Sequence, residues 1–288
     1  MKSLIITADD FGASPEVNEA VERAHAEGVL TAASLMVAAS AAADAVERAR
    51  RSPRLGVGLH LVLVEGRPAL PAGQVPDLVD AQGLFRTDMV RAGATLFFLP
   101  AARRQLEAEI TAQFEAFAAT GLPLDHVNAH KHFQLHPTIA GLILKIGRRF
   151  GLRAARLPIE PRQVLTLAEP GGTFPGEPVV DLWAGLARRR FRAAGLTVPD
   201  QVFGLRWSGA MTARRLGGLI AHLPPGLSEV YLHPATGVYP GGAPGYRYAE
   251  ELDALIDPAV IKAAQSRTIT LGSFRTLQGG EPRKEHVA

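Results

Sequence analysis

Short apolar runs alternate with stretches of helical spacing along most of the chain. Runs at Leu4–Ala8, Ala32–Ala38, Leu55–Leu63, Leu124–His130, Leu152–Leu157, Glu229–His233 and Thr268–Leu271 read as strands. Between most of them the periodicity predicts helices at Ala41–Arg51, Ala101–Thr120, Pro137–Phe150, Thr212–His222 and Glu250–Ala264. An earlier helix carries the fullest set of boundary signals. Ser14 offers an N-cap, Pro15 an N1 proline and Glu16 an acidic first turn. Val17, Ala20, Val21 and Ala24 recur on one face, and Gly28 falls where a C-cap belongs. Strand alternating with helix predicts an α/β fold with a mainly parallel sheet, and 288 residues suit a closed or nearly closed barrel. Two stretches rich in Pro and Gly, 64–100 and 160–209, break the rhythm and are expected to be insertions over the barrel mouth. Residues 1–277 then form a single domain and 278–288 a loose tail; no internal repeat is visible.

Composition narrows the chemistry. Apolar residues make up 47% of the chain and charged residues 20%, ordinary for a globular protein. A formal charge of +3, with basic residues scattered, gives no reason to expect nucleic acid. The chain has no cysteine, so a metal would have to be held by His, Asp or Glu. The first apolar run is too short for a secretory signal, and no segment approaches the roughly 20 apolar residues that span a bilayer. A cytoplasmic protein is expected.

The polar residues at the run ends are the candidates for function. Asp9 and Asp10 follow the first run, His60 lies in Gly58-Leu59-His60-Leu61, and His126, His130, His132 and His136 cluster at another run end. His233 closes the run from Glu229. In a parallel barrel the C-terminal strand ends meet on one face, where active sites are built. A carboxylate and two imidazoles there would suit a catalytic divalent metal. The His130-x-His132 spacing would place two imidazoles on one side of an extended strand. His25 and His222 fall within helical patterns and His286 in the tail, so packing or surface roles are expected of them. Adjacent acids on a strand cannot flank a glycosidic bond, which argues against a glycosidase. If the chain turns at Asp9-Asp10, one acid can ligate a metal while the other holds a water. A phosphoesterase or another amidohydrolase would use the same set, though no Walker-type loop is present. A sugar- or lipid-binding barrel without turnover would have no use for the spare carboxylate.

Taken in order, Thr7-Ala8-Asp9-Asp10-Phe11-Gly12, Gly58-Leu59-His60-Leu61, His126-Val127-Asn128-Ala129-His130-Lys131-His132 and Glu229-Val230-Tyr231-Leu232-His233-Pro234 resemble the motifs of the YdjC-like carbohydrate deacetylases. The resemblance implies a distorted (β/α) barrel of the glycoside hydrolase/deacetylase type and one bound divalent metal, with zinc first and magnesium, manganese, cobalt or nickel as alternatives. It implies Asp10, His60 and His130 as metal ligands, Asp9 as general base and His233 as general acid. His132 would be a fourth participant or would orient substrate. Many relatives have Asp at Asn128 and His at Gln134, departures that would fall on the surroundings of His130. Relatives also suggest a homodimer.

A narrower resemblance, carried by Leu61–Pro68, Ala112–Phe117 and Thr120–His126, is to the hopanoid-biosynthesis branch called HpnK. It implies an N-acetylglucosaminyl bacteriohopane glycolipid as substrate, where the wider family implies an N-acetylated sugar or oligosaccharide. A lipid substrate would call for peripheral contact with the inner membrane face. Arg188–Arg192 with Leu182 and Trp183, and the apolar Leu96–Pro100, are the segments that would make it. Arg156 and Glu109 are expected to be surface ion-pair residues.

Overall fold

A computed structural model describes residues 1–175 and 178–277. Its seven strands are β1 (Lys2–Phe11), β2 (Ala32–Leu35), β3 (Gly56–Leu61), β4 (Leu124–Ala129), β5 (Gln201–Phe203), β6 (Gly226–Leu232) and β7 (Ile269–Leu271). They form one parallel sheet in the order β4-β3-β2-β1-β6-β5, with β7 also paired to β1. The helices that wrap it are α1 (Pro15–Glu27), α2 (Ala42–Arg51), α3 (Met89–Phe98), α4 (Pro100–Ala119), α5 (Pro137–Gly147), α6 (Arg162–Ala168) and α7 (Pro178–Ala193). They continue as α8 (Ala213–Ala221), α9 (Tyr248–Ile256), α10 (Pro258–Ala264) and α11 (Phe274–Leu277). β1 is the axis of the sheet and is buried from Leu4 to Phe11, which is why its apolar run carries no alternation. α1 begins and ends where the residues direct it: the Ser14 side chain accepts from Val17 N, Pro15 opens the helix and Gly28 closes it.

Three elements depart from the sequence reading. Leu152–Leu157 is not a strand. It makes only the isolated bridges Val127↔Ala155 and Ala154↔Thr197. Pro158 and Pro161, which lack an N–H, interrupt any ladder beyond it. The segment nevertheless spans the gap between β4 and β5, because Val127 N donates to Ala154 O, Arg156 N to Val127 O and Val202 N to Ile159 O. It is the seam that curls the sheet into a barrel. β5 lies inside the stretch 160–209, so that stretch supplies a strand of the sheet as well as helices α6 and α7. The helix expected over Glu250–Ala264 is two, because Asp257 caps a new start ahead of Pro258.

Residues 64–100 fold back on α4 through two of its side chains: Gln105, which accepts from Asp77 N and donates to the Asp77 carboxylate, and Glu109. Glu109 is fully buried, accepting from Ala69 N at 2.7 Å, Leu70 N at 3.0 Å and the Gln113 side chain at 2.8 Å. The surface ion pair expected of Glu109 is therefore replaced by a tether to backbone amides.

A polar group also sits deep among the strands. The His126 Nδ1–H donates to Asp125 at 3.0 Å, and the Ser34 hydroxyl lies 2.9 Å from Nε2. The Phe274 ring stacks on the imidazole, while Asp125 accepts the N–H groups of Phe274 and Arg275 and so anchors α11. Gly58 exists for this arrangement: a Cβ there would stand 2.5 Å from the His126 ring.

Candidate metal centre

Asp9 and Asp10 should face opposite ways on a regular strand. The pairing of β1 with β2 slips between Ala8 and Phe11, and Asp10 takes φ of 60°, a left-handed conformation that reorients its side chain. Both carboxylates consequently line one cavity. His60 reaches it from the end of β3, whose register sets it opposite Asn128 on β4, and His130 arrives one residue after β4 ends.

Three ligand atoms converge there. Asp10 Oδ1 lies 3.3 Å from His60 Nε2 and 3.3 Å from His130 Nδ1, and the two nitrogens are 3.5 Å apart. Bonds of about 2.0–2.1 Å in tetrahedral directions put ligand atoms roughly 3.3 Å from one another, so the triangle fits a single divalent ion. Asp10 Oδ1 is buried without a hydrogen-bond partner, as an atom reserved for a cation would be. The hydrogen bonds around His60 agree. Its Nδ1–H donates to Asn128 Oδ1 at 2.7 Å, and the amide nitrogen of Asn128 donates to Asp9 Oδ1 at 3.0 Å. That chain fixes the tautomer that leaves Nε2 free to ligate.

Beside the triad lies a buried charge relay of a different kind. Arg156, wholly inaccessible, donates through Nη1 to Asp9 and through Nε and Nη2 to Glu229 Oε1 at 2.9 and 2.8 Å. Thr7 donates to the same Glu229 oxygen, and the guanidinium packs over the Tyr231 ring at 4.5 Å. Burial alone would raise the Asp9 pKa, but Arg156, with His60 and His233, outweighs it and holds the carboxylate ionised. Asp10 is likewise held well below the usual carboxylate range, burial being overcome by His130 and His60. The His132 pKa is lowered too, to about 3, through burial and the nearby Arg156 cation, which for an imidazole favours the uncharged form. It is therefore a neutral ring, with Nε2 2.8 Å from the Tyr231 hydroxyl. His233 stands on the same cavity with its ring edge-on to Tyr246 at 5.1 Å, and its buried Nδ1 has no partner. The cavity, about 300 Å³, is completed by Glu65, Lys131, Ser208 and Tyr239.

A family model described as YdjC-like protein matches residues 3–266. The chain belongs to the YdjC-like family. A carbohydrate deacetylase of Geobacillus stearothermophilus is 32% identical over 275 residues, covering 94% of this chain and 96% of that protein. One from Brevibacillus brevis is 40% identical over 147 residues, about half of each chain (51% of this one, 56% of the relative). A human carbohydrate deacetylase is 32% identical over 274 residues, covering 87% and 79%. A crystal structure from Enterococcus faecalis V583, of a protein provisionally assigned to cellobiose-phosphate cleavage, superposes with a TM-score of 0.75 at 24% identity. It covers 96% of this chain and 98% of that one, and so shares the distorted barrel.

Within this YdjC-like barrel, Asp9, Asp10, His60, His130 and His233 share one cavity, while the other histidines of the cluster do not join the triad. His126 is a core fastening. His136 is turned to Gly93 O, and His132 to Tyr231. The premise of an extended His-x-His fails because Lys131 and His132 both adopt φ of 55° in a tight left-handed turn. His286 falls outside the described residues. Asn128 supports His60 and Asp9 rather than His130, and Gln134 donates to the carbonyl of Arg156, so both departures from the family pattern lie on the Asp9 side. Arg156 is no surface residue. It and Glu229 were legible only as lone charges inside apolar runs, a pattern that calls for a buried partner. In the basic stretch, Arg188, Arg190 and Arg192 donate to backbone carbonyls and Phe191 is buried, while Arg189, Arg190 and Arg192 stay exposed, as do Phe98 and Trp183. No described helix is long and apolar enough to cross a membrane.

Proposed function

We propose that this chain is a metal-dependent hydrolase that removes the acetyl group from an N-acetylated sugar, an N-acetylglucosaminyl unit of a soluble oligosaccharide. The observation that carries this reading is the triangle of Asp10, His60 and His130 with a second, separately anchored carboxylate beside it. The relatives described as carbohydrate deacetylases, matched over most of their length, support the substrate class. The hopanoid branch rests on sequence motifs alone.

Two imidazoles and a carboxylate suit zinc, with magnesium second. A divalent ion held by Asp10, His60 and His130 would supply Lewis-acid chemistry, polarising an acetamide carbonyl and making water more acidic. Asp9 would take a proton from the attacking water: Asn128 and Arg156 fix its direction, and Arg156 with His60 and His233 keeps it ionised. His233, with an unpartnered ring nitrogen across the cavity, delivers a proton to the departing sugar nitrogen. Water and amide thus become acetate and amine. Tyr246, half-buried on the cavity wall, offers a ring against which a sugar can pack.

The test is mass spectrometry of N-acetylated chito-oligosaccharides incubated with metal-loaded protein, alongside an N-acetylglucosaminyl glycolipid. Loss of one acetyl unit and release of acetate, abolished by chelation, is the expected result. Phosphate release without acetate would replace this reading with a phosphoesterase.

A further inference from the structure

Among the described residues, four non-glycine positions have positive φ: Asp10, Glu65, Lys131 and His132. All four line the same cavity. Three have been accounted for, since Asp10 turns both acids inward and the Lys131-His132 turn carries the chain away from His130. Glu65 has not. An L-residue held left-handed is strained, and such strain persists where the surroundings impose it and collects at functional sites. Here the surroundings are specific: Glu65 N donates to Arg86 O and Phe85 N to Gly66 O, clamping both sides of the strained residue.

The clamp aims Glu65 at one target. Its Oε2 lies 3.9 Å from His130 Nε2, the ring nitrogen opposite the one that faces Asp10 and His60. Lys131 Nζ holds the same oxygen at 3.2 Å. The two ligand imidazoles therefore differ. His60 already has an acceptor on its outer nitrogen, Asn128 at 2.7 Å. For His130, Glu65 faces that position but stands short of a hydrogen bond, and a movement of about 1 Å would close it.

We propose that Glu65 is the positioning residue for His130. Its carboxylate exchanges Lys131 for the Nε2–H, fixes the tautomer that presents Nδ1 to the ion, and adds negative charge behind the ligand, the carboxylate–histidine–metal arrangement. Lys131 is then a competitor that tunes affinity through Glu65. This inference rests on the metal-dependent reading above.

The test is direct metal titration, by chelator competition with zinc and by the visible absorption of the cobalt(II) form, with His60→Ala as the blank. Glu65→Ala and Glu65→Gly should bind roughly 10- to 100-fold more weakly and alter the cobalt bands. Glu65→Asp should recover part of the affinity. Glu65→Gly relieves the left-handed strain, so its metal-free form should melt at or above the wild-type temperature while its metal binding falls; a purely structural residue would not split in this way. Lys131→Met should tighten binding in the wild-type background and change nothing in Glu65→Ala. Wild-type affinity and cobalt bands in Glu65→Gly would overturn the inference. A wild-type protein that binds neither ion more tightly than the blank would instead overturn the metal reading itself.

Discussion

Two groups of histidine, one within β4 and one at the ends of β3 and β4, do opposite things. His126, among the strands, has both ring nitrogens engaged, by Asp125 and Ser34, and a phenyl ring stacked on its face. A serine, a histidine and an aspartate in a row look like a nucleophilic triad, but all three are buried and none lines the cavity. The group is a fastening that holds α11 to β4. His60 and His130, at the strand ends, each keep one nitrogen turned toward a carboxylate oxygen that has no partner of its own. What separates a core histidine from a metal ligand is therefore neither burial nor an acidic neighbour, since His60 shares both with His126. It is where the uncommitted lone pairs point.

The strongest way to break this contrast is to exchange the consequences. His60→Ala should lose metal binding altogether while remaining folded, as shown by chelator competition beside a thermal melt; retained tight binding would dissolve the distinction. Asp9→Asn should reduce turnover roughly 10²- to 10⁴-fold with metal affinity near wild type, because the ion is held by its neighbours and the proton transfer is not. His126→Ala should do the reverse of His60→Ala. Stranding Asp125 and Ser34 in a cavity should destabilise the fold by roughly 2–4 kcal/mol in denaturant titration, with metal binding intact once folded. Gly58→Ala forces a methyl against the same imidazole and should destabilise by about 1–3 kcal/mol without touching the triad.

The smallest effect expected is one of acidity. Burial raises the Asp125 pKa, but His126 and the α11 amides more than offset it, leaving it below the ordinary carboxylate value. A carboxylate depressed by folding contributes stability above its unfolded pKa of about 3.9 and loses it as pH falls through the folded value. Melting temperatures of the wild type should therefore fall below about pH 4, and Asp125→Asn, less stable at neutral pH, should show a shallower acid slope.

Much of the fold was legible because its signals are local. Ser14, Pro15 and Gly28 bound α1 by capping chemistry, and the run from Leu4 is unbroken because β1 is buried on both sides. That acids and imidazoles would meet in one pocket was legible because each ends a run and parallel strands bring such ends together, while the choice of Asp10, His60 and His130 among them came from the family resemblance. What escaped depends on partners distant in sequence. Arg156 looks like a surface cation until Asp9 and Glu229, 147 and 73 residues away, are placed beside it. β5 is three residues long and carries too little pattern to stand out from a Pro- and Gly-rich stretch. The turn at Lys131-His132 reverses an expectation built on extended geometry, and no residue there advertises positive φ.

The seam from Ala154 to Ile159 gives the barrel one stave fastened at points instead of along its length. Arg156 hangs from that stave, so one of the two holds on the Asp9 carboxylate, the other being Asn128, depends on the least continuously bonded part of the wall. Loosening there, by heat or by a substitution at Pro158, would spoil the proton acceptor while the three ligand side chains kept their places. Such a molecule would still capture its ion and yet turn over poorly.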